Sequence, residues 1–125
     1  MAITVKELNH VAIHVSDLDA SIRFYRDILG LPILPRPAFN FGGAWFAFGT
    51  QELHLIEDKS LITSSRRHHH FALLVDDTNE VETHLHEQGW TAIVSHGSRP
   101  DGAPQLFITD PDGYSIEFTS LPWRK

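Results

Sequence analysis

Four side chains carry the chemistry this chain has to offer: His10, His54, His70 and Glu117. Nine histidines stand among its 125 residues, nearly matching the ten Lys and Arg, and there is no cysteine. Imidazole is the commonest protein metal ligand and titrates near neutrality. Without thiolates, a metal here has to be held by nitrogen and oxygen. Three imidazoles and one carboxylate suit one borderline divalent ion per site, drawn from Zn, Ni, Fe, Co and Mn. Two of the histidines with the carboxylate would make the facial set of non-haem iron sites.

These four stand out because the chain is written twice. His10-Val11-Ala12-Ile13-His14-Val15-Ser16-Asp17 returns 60 residues later as His70-Phe71-Ala72-Leu73-Leu74-Val75-Asp76-Asp77. Each copy opens on His, runs through apolar residues and ends in acidic or hydroxyl side chains. An amphipathic segment follows each and stops at a glycine, Gly30 or Gly89. Two copies are too few for a solenoid, so the pattern reads as two modules packed as a pair. His10 and His70 are then equivalent positions. Gly49 precedes His54 by five residues and Gly113 precedes Glu117 by four, so with one insertion His54 and Glu117 are equivalent too.

The elements that must position them follow from alternation. In Leu8 to Val15, Val11, Ile13 and Val15 share one face, and His10, Ala12 and His14 the other. A helix follows, capped by Ser16 or Asp17, with Leu18, Ile22, Tyr25 and Leu29 at helical spacing and Gly30 as its left-handed end. Strands are expected at Leu31 to Leu34, Ala44 to Phe48 and Glu52 to Glu57. His54 lies opposite in direction to Leu53 and Leu55, alongside Glu52 and Ile56. The second half repeats the plan. Its strand is His68 to Val75, its helix Asp77 to Gln88 with Val81 and Leu85 inward, and its further strands are Trp90 to Ser95, Pro104 to Thr109 and Tyr114 to Thr119. Asp110-Pro111-Asp112-Gly113 is a turn by its chemistry. Gly97 to Ala103 is read as a loop, and the tail Leu121 to Lys125 as loose or docked.

Each half is therefore β-α-β-β-β. The fold class is α+β, two βαβββ modules with mixed sheets curled around a shared cavity. One domain spans 1–125: module 1 at 1–58, a polar linker at 59–67 and module 2 at 68–125. One helix covers one face of a sheet, so the other face must meet the second module or a second chain. The faces turned away from the helices carry His10, His54, His70 and Glu117.

A single His on a strand is more often a packing or surface residue than a ligand, so the weight rests on parity and repeat together. His14 shares the face of His10 but lies about 13 Å along the strand, too far to join the same ion, and is read as cavity lining. His68 and His69 are read as polar strand-entry residues, and His84, His86 and His96 as surface or loop. Asp17, Asp76 and Asp77 are better read as helix caps than as ligands. Phe39, Phe41, Trp45, Phe46 and Phe48 lie on or before one strand. Trp45 and Phe46 point oppositely, so only part of this set can line a pocket. Arg36, between two prolines, is a solvated loop residue unless an anionic substrate meets it.

Composition sets the bounds. With 42% hydrophobic and 21% charged residues the chain can bury a core as one compact unit. A net charge of −6 argues against nucleic acid as a partner. No apolar run nears the ~18 residues of a membrane helix, and Met1 to Leu8 has no signal-peptide core. The expectation is a cytoplasmic protein with a small-molecule partner and no membrane or nucleic-acid partner.

Several motifs are similar to one known family. Asn9-His10-Val11-Ala12, Ser16-Asp17-Leu18, Phe24-Tyr25 with Leu29-Gly30-Leu31, His70-Phe71-Ala72 with Val75-Asp76-Asp77, and Asp110-Pro111-Asp112-Gly113 with Ile116-Glu117-Phe118 resemble the vicinal oxygen chelate superfamily. That group includes glyoxalase I, methylmalonyl-CoA epimerase, fosfomycin-thiol transferases, extradiol dioxygenases and bleomycin-binding proteins. The resemblance covers nearly the whole chain. It implies a glyoxalase-like fold and metal ligands from the first and last strands of each module, matching His10, His54, His70 and Glu117. Glyoxalase I commonly carries Glu or Gln where this chain has His54. The three-ligand enzymes match His10, His70 and Glu117 and leave His54 outside the ligand set. The shared step the resemblance implies is chelation of a substrate's vicinal oxygens by the metal, with Glu117 as candidate base. The expected activity is a metal-dependent glyoxalase-I-like lyase or isomerase acting on a small thiol adduct or α-hydroxycarbonyl compound. The alternatives are a fosfomycin-type thiol transferase, an extradiol-type dioxygenase, or a non-catalytic drug- or metabolite-binding protein. The resemblance also implies a homodimer.

Overall fold

Val15, Phe46, Leu53 and Leu55 are fully buried, and Ile13 and Ala44 nearly so. They come from three strands and lie on one face of one sheet. In the computed structural model, which describes residues 3–62 and 69–120, this sheet belongs to the first of two compact units, Met1–Leu61 and Ile62–Lys125. Its strands are β1 (His10–Val15), β2 (Ile33–Leu34), β3 (Gly43–Phe48) and β4 (Gln51–Glu57). Their order is β1-β4-β3-β2, with β1 parallel to β4 and the other pairs antiparallel.

Helix α1 (Leu18–Ile22) lies against β3 and β4. Asp17 caps it, its Oδ1 accepting the Ala20 N–H at 3.1 Å. The sequence predicts one uninterrupted α-helix to Leu29, and the structure corrects this. From Arg23 to Ile28 the turns widen to the π form, with the Leu29 N–H reaching Phe24 O at 2.9 Å. The cause lies in the consecutive pair Phe24-Tyr25, both buried and set edge to face at 4.9 Å. Neighbours on an α-helix point about 100° apart, so two adjacent rings cannot both face one core; a wider turn brings them closer in direction. Gly30, at φ 74°, then closes the segment as Leu31 N–H bonds Tyr25 O at 2.9 Å.

The second unit repeats this with β5 (His70–Val75), α2 (Thr78–Glu87), β6 (Ile93–Ser98), β7 (Pro104–Thr109) and β8 (Ser115–Ser120). The order β5-β8-β7-β6 and the parallel β5–β8 pair copy the first sheet. Asp77 caps α2 through the Asn79 N–H at 2.8 Å, and Leu85 is fully buried beneath it. Leu106, Ile108 and Ile116 complete this core. Two mixed four-stranded sheets, each with one helical segment, make the βαβββ duplication and the α+β class direct observations.

One strand is displaced from expectation. β6 runs from Ile93 to Ser98, with a register shift between Ile93 and Ser95, instead of Trp90 to Ser95. Gly97 therefore lies within the edge strand, opposite Gln105, rather than in a loop. Trp90 is outside the strand because its backbone N–H is spent on Leu85 O at 2.8 Å, closing the end of α2, while its indole N–H reaches Thr109 O at 3.0 Å. Residues 63–67 of the expected linker, His68 and the tail 121–125 lie outside the described residues. Among the described residues no helix is long and apolar enough to cross a membrane.

Candidate functional site

Strand register supports the equivalence read from the repeat. In the first sheet His54 pairs with Ala12, two residues beyond His10. In the second, Glu117 pairs with Ala72, two residues beyond His70. Each unit thus offers one pair of side chains on the face away from its helix.

In the second unit the pair is in direct contact. His70 Nε2 donates to Glu117 Oε1 at 2.9 Å, and the Gln105 amide donates to Glu117 Oε2 at 3.3 Å. Glu117 is 5% exposed. A carboxylate so buried is costly unless its oxygens are satisfied, and both are. Phe107 packs edge-on to the His70 ring at 5.1 Å. Two donors of one divalent ion, each about 2.1 Å from it, stand roughly 3 Å apart. The His70–Glu117 separation matches that span, and the pair could hold an ion once His70 Nε2 gives up its proton and turns its lone pair from the carboxylate toward the metal.

In the first unit the pair is stacked. The His54 ring lies between Trp45 (4.0 Å, 4°) and His10 (4.2 Å, 19°). Its Nε2 is tied to Glu52 Oε1 at 2.9 Å, and His10 Nδ1 to Asn9 Oδ1 at 2.7 Å. An imidazole lone pair lies in the ring plane, and two nearly parallel planes share no nearby point. These rings cannot both address one ion as they stand. His10 is exposed and held on one side only, so it is the ring free to turn. His54 is held on both faces and by Glu52. Among the described residues no group of three or more His, Cys, Asp or Glu side chains stands ready to hold a metal.

The remaining candidates are placed as follows. His14 donates to Asp58 Oδ2 at 3.0 Å, and this bond, with help from Ser60, holds the Asp58 carboxyl below its ordinary range. Asp17 and Asp77 are helix caps, as expected. His96 is not a surface or loop residue. It sits on β6 between Thr78 Oγ1 (2.9 Å) and Glu82 Oε2 (3.0 Å), joining the strand to α2. The aromatic set divides by parity: Phe46 is buried on the helix side against Tyr25, while Phe39, Phe41 and Trp45 gather on the open side. Glu52 and Gln105 are polar neighbours of the candidate residues, bonded to His54 and Glu117. Both follow from strand alternation, Glu52 from His54 and Gln105 from the facing position to Thr119, two residues beyond Glu117.

The profile of the Glyoxalase/Bleomycin resistance protein/Dioxygenase superfamily matches residues 7–118. A lactoylglutathione lyase of Neisseria meningitidis serogroup A is 31% identical over 121 residues, 89% of this chain and 88% of its own. The metallothiol transferase FosB of Staphylococcus haemolyticus is also 31% identical, over 117 residues, 90% of this chain and 82% of its own. The crystal structure of a glyoxalase family protein from Enterococcus faecalis matches with a TM-score of 0.75 at 30% identity, covering 91% of this chain and 97% of that one. With the duplicated βαβββ fold and a match running through both units, the chain belongs to the glyoxalase/bleomycin resistance protein/dioxygenase superfamily, the vicinal oxygen chelate group.

Proposed function

We propose that this protein is a metal-dependent lyase or isomerase of the glyoxalase I kind, acting on a small thiol adduct or α-hydroxycarbonyl substrate. The observation that carries the reading is the buried Glu117 carboxylate in contact with His70 on the face of its sheet away from the helix. Relatives equally similar, at 31% identity, are named lactoylglutathione lyase and metallothiol transferase FosB, so the first name supports this activity and the second keeps thiol transfer as the alternative. His10, His54, His70 and Glu117 are the proposed donors to one divalent ion. In the four-donor form, the His54 ring has to leave its stack. In the three-donor form, His54 stays against Trp45 while His10, His70 and Glu117 hold the ion. The two-sided stack and the Glu52 bond favour the second form.

Once bound, the ion supplies Lewis-acid polarisation of a substrate carbonyl. The chain's residues do the rest. Glu117 Oε1 accepts the proton from the carbon beside the carbonyl and returns it to the neighbouring carbon. Gln105 orients that carboxylate by donating to its second oxygen, while His70 leaves its bond to Oε1 to hold the ion. Phe107 limits water on the His70 side. The protein is proposed to be a cytoplasmic homodimer, with the two ligand pairs drawn from one chain or from two. Mixing inactive His10→Ala and Glu117→Gln chains separates these cases, because recovered activity requires that ligands cross between chains. The activity itself is tested by following a glutathione hemithioacetal with Ni- or Zn-loaded protein. Isomerisation that depends on added metal is expected. No turnover of this substrate, together with thiol-dependent loss of fosfomycin or oxygen uptake with a catechol, would move the protein to the alternative enzyme classes. Absence of all three would favour a binding protein.

A further inference from the structure

Arg36 has no carboxylate partner among the described residues, yet it is not a solvated loop residue. Its guanidinium lies over the Phe39 ring at 4.8 Å and the Phe41 ring at 5.1 Å. One Nη donates to Phe41 O at 2.9 Å, while Nε is buried without a partner. Arginine has five N–H donors, so most of its capacity is unspent, and a dry donor left unmatched is unfavourable. The backbone makes room for this placement. Pro35 and Pro37 flank Arg36, and a Cβ on Gly43 would come within 3.0 Å of Nη2 and 3.1 Å of Nε while striking the Leu55 carbonyl.

The guanidinium is one wall of a pocket in the first unit, completed by Phe39, Phe41, Trp45 and the rings of His10 and His54, with a volume near 140 Å³. An apolar cavity of about 150 Å³ holds benzene, whereas drug-sized ligands need roughly 300–1,000 Å³. The pocket is sized for one ring, and because it opens outward the rest of a larger ligand can extend beyond it. Phe39 and Phe41 are 46% and 43% exposed, so an arriving ligand can cover their rings.

We propose that this pocket anchors a substrate built from a carboxylate on one planar ring or an equally small apolar body, with Arg36 binding the carboxylate and the aromatic side chains packing on the ring. This deepens the proposed function by placing the non-reacting end of the substrate, and for its role in turnover it rests on that reading.

Ligand-observed NMR titrations with benzoate, benzyl alcohol and acetate test this, on untreated and on EDTA-treated protein. Benzoate should saturate one site and bind at least ~10-fold more tightly than either partial analogue. Arg36→Met should reduce benzoate to the benzyl alcohol level, and Arg36→Lys should recover part of the difference, with circular dichroism unchanged in both. Equal binding of benzoate and benzyl alcohol, absence of saturable benzoate binding, or full benzoate affinity in Arg36→Met would overturn the proposal. Benzoate binding lost on EDTA treatment would also overturn it, because the carboxylate would then be held by metal, and the proposed function would stand. Benzoate binding retained by a protein that shows no metal-dependent turnover would do the reverse.

Discussion

Glu117→Gln separates coordination, proton transfer and folding in one side chain. The substitution is nearly isosteric at a position 5% exposed in the middle of β8. His70 can still donate to the new amide oxygen, so the 2.9 Å contact survives without its charge. A hydrogen bond to a charged group contributes about 1.5–3 kcal/mol net, and a neutral one about 0.5–1.5. The His70 bond therefore weakens by about 1 kcal/mol. The new amide N–H meets the Gln105 amide, which can turn over and accept from it. Removing a buried charge also relieves desolvation, which offsets part of the loss. A stability change within about 2 kcal/mol is expected from urea denaturation of the metal-free protein. Glu117→Leu differs, because it strands both His70 and Gln105 at about 1–3 kcal/mol for each group left unpaired. Turnover should fall far more than stability. A positioned base contributes ~10²- to 10⁴-fold, or about 3–5 kcal/mol of barrier, and metal affinity should fall as well. Wild-type turnover with fully retained metal in Glu117→Gln would refute the role given to this residue.

Asp77→Ala removes the side-chain cap on the Asn79 N–H and should cost about 1 kcal/mol in thermal or urea unfolding, with the effect confined to α2 in hydrogen exchange. Asp101 is held down to about 2 by the Arg99 guanidinium and the Ala103 N–H. Because the folded value lies below the ordinary 3.8, its contribution is present above that value and lost as pH falls through about 2. NMR titration should find the depressed midpoint, and Arg99→Ala should return it toward 3.8. Sedimentation at micromolar concentration should give a dimer; a 14.2 kDa species alone would remove the homodimer from the proposal.

Much of this was legible because β-structure writes itself with a period of two. His10, His54, His70 and Glu117 were assigned to the non-helical faces from alternation alone, and the registers Ala12–His54 and Ala72–Glu117 place them there. Asp17, Asp77, Gly30 and Gly89 marked the helix ends because cap chemistry is local. Tertiary packing was less legible. Phe24-Tyr25 reads as helix, and only the demand to bury both rings widens the turn. Gly97 reads as loop, yet an edge strand tolerates it where no neighbour approaches. The stacking of His54 and the packing of Arg36 against Phe39 and Phe41 depend on rotamers that neither period nor composition encodes. The same is true of His96, whose partners Thr78 and Glu82 lie on another element.

Metal stoichiometry in protein prepared without an affinity tag tests the central claim most directly. The comparison needs three samples after dialysis against limiting Zn, Ni or Co: wild type, His10→Ala and His70→Ala, each read by elemental analysis. One tightly held ion per site is expected in wild type, with a large loss in both variants, since His10 and His70 stand at equivalent first-strand positions. Equal metal content in all three would show that the ion is held elsewhere among the histidines, and no tightly held ion in wild type would remove the metal from the proposed chemistry altogether.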